Sequence, residues 1–168
     1  MASESGAIVF TDIVGFTQLT SKHGDDVALA LLERQEKIVR EALPQNSRVV
    51  KELGDGLLLW FDSADEAIET CLQLQRAFDT DMEAEIPLWV RMGVHFGCPR
   101  RRGDDIIGHD VNLAARIVEL AGPGEVLCSE TTAEKASDIA GVLFEPLGPV
   151  FVRGIEEAVP IVRAISEI

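Results

Sequence analysis

A single α+β domain over residues 1–168, an α/β sandwich on a ferredoxin-like βαββαβ core with C-terminal αβ extensions, is the fold this chain predicts. Three observations point to it. Apolar runs of strand length alternate with helical periodicity in the order strand, helix, strand, strand, helix, strand. The second and third strands are parted only by Gly54-Asp55-Gly56, a hairpin signal. A hydrophobic content of 46% over 168 residues suffices for one buried core.

The elements follow in order. Residues 7–12 (Ala-Ile-Val-Phe-Thr-Asp) read as a buried strand, and residues 16–42 as one long helix, with Leu19, Val27, Ala30, Leu31, Ile38 and Leu43 near helical spacing and Pro44 as its stop. Residues 48–53 and 57–61 form the hairpin strands. Ser63 caps the next helix, with Glu66 as capping-box partner and Ala67, Ile68, Cys71, Leu72, Leu74, Gln75 and Phe78 on its core side. Residues 88–96 are a further strand. A loop after Gly97 and a turn at residues 103–105 lead into a helix over residues 110–120, which ends before Gly122-Pro123-Gly124. Short strands at 126–129, 142–147, 151–152 and 161–165, with a helix starting near Glu130, complete the chain; there is no internal repeat or low-complexity tract.

Composition excludes several functions. A net charge of −14 argues against a nucleic-acid surface, and the one dense basic run, Arg100-Arg101-Arg102, meets Asp104 and Asp105 as a solvated hairpin tip. Three scattered cysteines, Cys71, Cys98 and Cys128, without a CxxC spacing fit neither a disulfide framework nor a zinc site, and point to a reducing cytoplasm. No apolar run nears the ~20 residues that span a bilayer, and Met-Ala-Ser-Glu-Ser lacks the basic start of a secretory signal. A membrane, sensor or regulatory segment would belong to another protein or to a longer parent chain.

The topology makes the first and third strands antiparallel neighbours at the sheet centre. Asp12, ending the first, and Asp55, preceding the third, then emerge at one edge of the sheet. Taken singly each also suits a turn or cap. Together, two carboxylates and the Ile13 carbonyl suit a pair of divalent cations, Mg²⁺ or Mn²⁺, in phosphoryl transfer. The Gly15-Phe16-Thr17 turn into the helix offers free backbone N–H groups to phosphate oxygens. Asn112 and Arg116, four apart, share a helix face, with Leu113, Ile117 and Leu120 toward the core. His23, His95 and His109 have no metal-triad spacing, Trp60 and Trp89 read as packing residues, and Cys98 lacks a motif that would activate it.

The segments Phe10-Thr11-Asp12-Ile13-Val14-Gly15-Phe16-Thr17, Lys51-Glu52-Leu53-Gly54-Asp55-Gly56 and Asp105 through Arg116 occur in the order and spacing of one family. The chain resembles a class III nucleotide cyclase catalytic domain, of the adenylyl and guanylyl cyclase homology fold, from Ala7 through Ile165. That resemblance implies metal binding by Asp12, Ile13 and Asp55, purine selection by Lys51 and Asp105, ribose orientation by Asn112 and transition-state charge stabilisation by Arg116. It places Arg91 and Arg153 among the triphosphate-binding residues, with Arg153 a departure from the Lys that many relatives carry.

Adenylyl cyclases of the family carry Lys with Asp or Thr at the purine positions; guanylyl cyclases typically carry Glu and a small residue. The chemistry agrees, since Lys donates to adenine N1 and Asp accepts from N6–H, whereas guanine reverses both needs. The resemblance thus implies an adenylate cyclase making 3′,5′-cyclic AMP and pyrophosphate from ATP, as a head-to-tail homodimer whose sites draw on both protomers. The rivals are a catalytically weak nucleotide-binding regulatory module and a guanylate cyclase; a diguanylate cyclase would need a Gly-Gly-Asp-Glu-Phe-type signature that is absent.

Overall fold

The computed structural model describes residues 4–81, 85–136 and 139–167. Residues 1–3, on which the reading of the N-terminus partly rests, lie outside them. The elements run β1 (Gly6–Ile13), α1 (Phe16–His23), α2 (Asp25–Ala42), β2 (Arg48–Leu53), β3 (Gly56–Phe61), α3 (Ala64–Asp79), β4 (Val90–Gly97), β5 (Arg100–Arg102), β6 (Asp105–Ile107), α4 (His109–Leu120), β7 (Val126–Ser129), α5 (Glu130–Lys135), β8 (Val142–Val150) and β9 (Val159–Ser166). A seven-stranded sheet has the order β2-β3-β1-β4-β7-β9-β8. Its first four strands reproduce the ferredoxin-like order, with β1 antiparallel to both β3 and β4. The C-terminal strands extend that core through a parallel β4–β7 pair, which makes β4 rather than β1 the middle strand.

The central strands are buried on both faces, which explains why β3 and the body of β1 are continuously apolar rather than alternating, while the edge strands β2 and β8 are partly exposed. Ala7 and Val9 of β1 join the larger core with Leu31 and Val39 of α2, Ile68, Cys71 and Leu74 of α3, and Ala133 of α5. Ile8 and Phe10 face the opposite layer, where Ala114 and Val118 of α4 and Ile106 of β6 cover them. Ser63 caps α3 as expected, its hydroxyl accepting from the Glu66 amide. Among the described residues no helix is long and apolar enough to cross a membrane.

Several expectations need correction. The single helix over 16–42 is two, broken at Gly24, whose φ of 90° lies outside the helical range. The buried stripe of α2 runs through Ala28, Leu31, Gln35 and Val39, leaving Ala30 exposed. The strand expected at 88–96 begins only at Val90. Residues 151–152 are not a strand; instead β8 continues to Val150 through a register shift between Pro146 and Gly148. The basic run and its acidic neighbour form a separate hairpin, β5–β6, turning at Gly103-Asp104. Leu120 and Trp89, assigned to the interior, are exposed, whereas Trp60 is buried.

Candidate active site

Three groups of side chains stand at the ends of these elements. In the first, β1 sets Asp12 opposite Gly56 of β3 and Arg91 of β4. A Cβ at residue 56 would fall 1.9 Å from the Thr11 carbonyl oxygen, so only glycine permits this approach. The hairpin turn then brings the Asp55 carboxyl within hydrogen-bonding reach of Asp12. Burial, followed by that bond and the Asp12 charge, pushes Asp55 up to about 6. Arg91 binds the other side of the pair, its Nε and Nη2 donating to Asp12 Oδ2 at 2.8 and 2.7 Å. Arg91 Nη1 also donates to the Glu119 carbonyl at 3.2 Å.

Two residues that sequence reasoning missed hold this corner. Thr11 Oγ1 donates to Gln35 Oε1 at 2.8 Å and accepts from the Leu57 amide at 3.1 Å. Gln35 Nε2 donates to the Asp55 carbonyl at 3.2 Å, tying α2 to the turn that carries the carboxylate. The signal was present, because Gln35 is a polar residue in an otherwise apolar stripe, four residues from both Leu31 and Val39.

Among the described residues no group of three or more His, Cys, Asp or Glu gathers to hold an ion. The protein would contribute two carboxylates and the main chain of Ile13. That donor set fits Mg²⁺ or Mn²⁺, hard cations that combine one or two carboxylates with substrate phosphates and water. Burial, first, and then the neighbouring Asp12 carboxyl raise Asp55, so a cation bound between the two would favour their joint ionisation. Beside them, α1 begins at Gly15 without a side-chain cap, so the first-turn amides, including those of Phe16 and Thr17, lack helical acceptors.

The second group lies on α4. Leu113 and Ile117 are buried, while Asn112 and Arg116 face outward and line a cavity of about 280 Å³ with His109, Arg153, Gly154 and Ile155. Glu119 Oε1 accepts from Arg116 Nη1 at 2.8 Å and Arg153 Nη2 at 3.1 Å. Glu119 thus links this pocket to the acidic corner, and sequence reasoning did not single it out.

The third group stands apart from both. Lys51 Nζ of β2 lies 2.9 Å from Asp105 Oδ2 of β6, and Asp105 Oδ1 accepts from the Ile106 amide at 2.8 Å. The Lys51 bond holds the Asp105 carboxyl below its ordinary value. Arg48 Nη1 donates to the Asp104 carbonyl at 2.8 Å, fastening the β5–β6 hairpin against β2.

Apart from these three groups, a partly buried hydrogen-bonded network anchors the first turn of α4. His95 bonds Ser129 Oγ through Nδ1 at 2.7 Å and Asp110 Oδ1 through Nε2 at 2.9 Å. Burial alone would raise the Asp110 carboxyl, but the Cys98 amide and His95 outweigh it and hold the value low. Burial raises the Cys71 thiol and takes Cys128 up to about 12, so neither is a ready nucleophile.

Residues 2–162 match the family model described as the adenylate and guanylate cyclase catalytic domain. An adenylate cyclase of Streptomyces coelicolor is 34% identical over 130 residues, covering 77% of this chain and 33% of the relative. The chain spans about a third of the length of the curated relatives it matches. The fold is that of the adenylyl cyclase CyaB from P. aeruginosa, with a TM-score of 0.82, 22% identity, and coverage of 99% of this chain and 97% of that one. It is equally that of the guanylate cyclase domain of RhGC from Catenaria anguillulae, solved with GTP, with a TM-score of 0.84, 19% identity and 99% coverage of each chain.

Proposed function

The chain belongs to the adenylate and guanylate cyclase catalytic domain family, and from that premise we propose that it is an adenylate cyclase acting as a head-to-tail homodimer. The fold is common to both purine specificities, so the base must be read by side chains. The observation that carries the reading is the Lys51–Asp105 contact of 2.9 Å, which sets one donor and one acceptor side by side. That pair matches adenine N1 and N6–H and opposes guanine at both positions.

In the proposed reaction the ribose 3′-oxygen forms a bond to the α-phosphorus, the bridging bond to the β-phosphate breaks, and the hydroxyl proton leaves to solvent. Asn112 orients the ribose. Arg116 donates to the α-phosphate oxygens, where charge grows, and Arg153 and Arg91 bind the departing pyrophosphate together with the amides of Gly15, Phe16 and Thr17. When bound at Asp12, Ile13 and Asp55, two divalent cations supply hydroxyl activation and charge neutralisation of the leaving group. Positioning carries the rest, since no side chain stands out as a general base.

Asp12, Asp55 and Arg91 would come from one protomer, and Lys51, Asp105, Asn112, Arg116 and Arg153 from the other. Phe151 is 81% exposed two residues before Arg153, and Trp89 is exposed just before β4, apolar surfaces that a second protomer would cover. The test is parallel incubation with ATP and GTP in Mg²⁺ or Mn²⁺ over a range of protein concentration, with the cyclic product identified. Cyclic AMP, at a specific activity rising with concentration, is expected. Cyclic GMP as the main product, or no turnover at any concentration, would overturn the reading.

A further inference from the structure

We propose that Glu119 is an internal competitor of the nucleotide's phosphates, holding Arg116 and Arg153 until substrate displaces it. The inference rests on the reading of those arginines as phosphate-binding residues. One carboxylate oxygen takes both guanidinium groups, at 2.8 and 3.1 Å, in the same pocket that Asn112 lines. Two cations converging on a single acceptor is the arrangement a phosphate oxygen would adopt.

The place of Glu119 in its helix sharpens the point. It is the penultimate residue of α4, whose last turn holds no basic residue, so its charge sits at the negative end of the helix dipole. The pair with Arg116 also has the acid C-terminal to the base, the less favourable order. Helix stability therefore gives no reason for a carboxylate here; the two arginines do. Arg153 is largely exposed and sits in a turn beyond the end of β8, outside any regular element, which leaves it free to exchange Glu119 for a ligand.

Both pairs are partly exposed, so each is weak, and neutralising Glu119 should change phosphate affinity by a modest factor, about three- to tenfold. The full chain is compared with Glu119→Gln and Glu119→Asp, reading KM and kcat for ATP and inhibition by inorganic tripolyphosphate, with thermal midpoints as the folding control. Glu119→Gln is expected to lower KM and the tripolyphosphate inhibition constant together by that factor while kcat changes less. Glu119→Asp, which keeps the charge, should stay within about twofold of wild type. An unchanged or raised KM and inhibition constant in Glu119→Gln would overturn the proposal, the latter showing that Glu119 organises the arginines for substrate. Should wild type make no cyclic nucleotide, the functional reading fails separately. Calorimetric binding of tripolyphosphate to wild type and Glu119→Gln then still decides the role of Glu119 by the same directions.

Discussion

Replacing Gln35 by leucine tests how the acidic corner is built. The side chain is 1% exposed and bridges Thr11 to the Asp55 carbonyl. Leucine nearly conserves volume, so little cavity is left. The Thr11 hydroxyl loses its acceptor and the Asp55 carbonyl its donor, and a stranded buried group costs about 1–3 kcal/mol. The carbonyl is only part-buried and the leucine gains apolar burial, which together bring the net cost to about 1–3 kcal/mol. For a chain of this size each kcal/mol moves the midpoint by about 2–4 °C, so the melting temperature should fall by about 2–12 °C in scanning calorimetry. Thr11→Val should also destabilise, and the double variant should cost less than the sum by about 1 kcal/mol, because both changes break one shared bond. Turnover measured well below either midpoint should fall too, since the turn loses the anchor that aims Asp55. A Gln35→Leu protein melting within about 1 °C of wild type, with unchanged turnover, would refute the claim that this bridge positions the site.

Other consequences are equally direct. Asp12→Ala or Asp55→Ala should abolish metal-dependent turnover without unfolding the chain; near-normal activity in a folded Asp55→Ala protein would remove the metal assignment. Mixing inactive Asp55→Ala with inactive Arg116→Ala should restore about a quarter of wild-type activity, as half the dimers would then hold one intact site of two. No recovery despite demonstrated subunit exchange would exclude shared sites. Lys51→Glu with Asp105→Cys should cut the ATP-to-GTP ratio of kcat/KM by about one to two decades, the effect of about 1–3 kcal/mol in all for a donor and acceptor mismatched against the bound base; an unchanged ratio would show that these residues do not read the base. Asp110 is held below its ordinary value in the folded state, so its contribution is complete above the usual aspartate range and fades as pH falls through the folded value. The melting-temperature advantage of wild type over Asp110→Asn should therefore be full near neutrality and shrink below about pH 4; an advantage that grows on acidification would contradict it.

The acidic corner was legible because a two-residue hairpin and an antiparallel β1–β3 pair leave Asp12 and Asp55 nowhere to go but together. The nearness of Lys51 and Asp105, 54 residues apart, came only from resemblance, since no local rule places the β5–β6 hairpin against β2. The break at Gly24 was written in charge: Lys22 and His23 close α1, and Asp25 and Asp26 open α2, each suited to its helix end. Periodicity across residues 16–42 overrode that signal. The strand expected at 142–147 stops short of Gly148-Pro149, yet β8 runs on to Val150 with both Pro146 and Pro149, because it is an edge strand, where a missing N–H costs little. The links through Gln35 and Glu119 join residues 20 and 34 positions apart, and such pairings exist only once the layers have packed.

The two margins of the sheet have a bearing on how copies can meet. β8 interrupts its outer rim with two prolines and a shifted register, and β2, at the far margin, is likewise irregular between Val49 and Lys51 and carries charge in Lys51 and Glu52. Neither rim offers an unbroken ladder onto which a foreign strand could dock, so stacking into filaments is blocked at both sides. Association is left to side chains on faces and loops. Under the proposed homodimer, turnover would follow local crowding of copies of this chain, and an attached module that pins two copies side by side would act as a throttle without touching the chemistry.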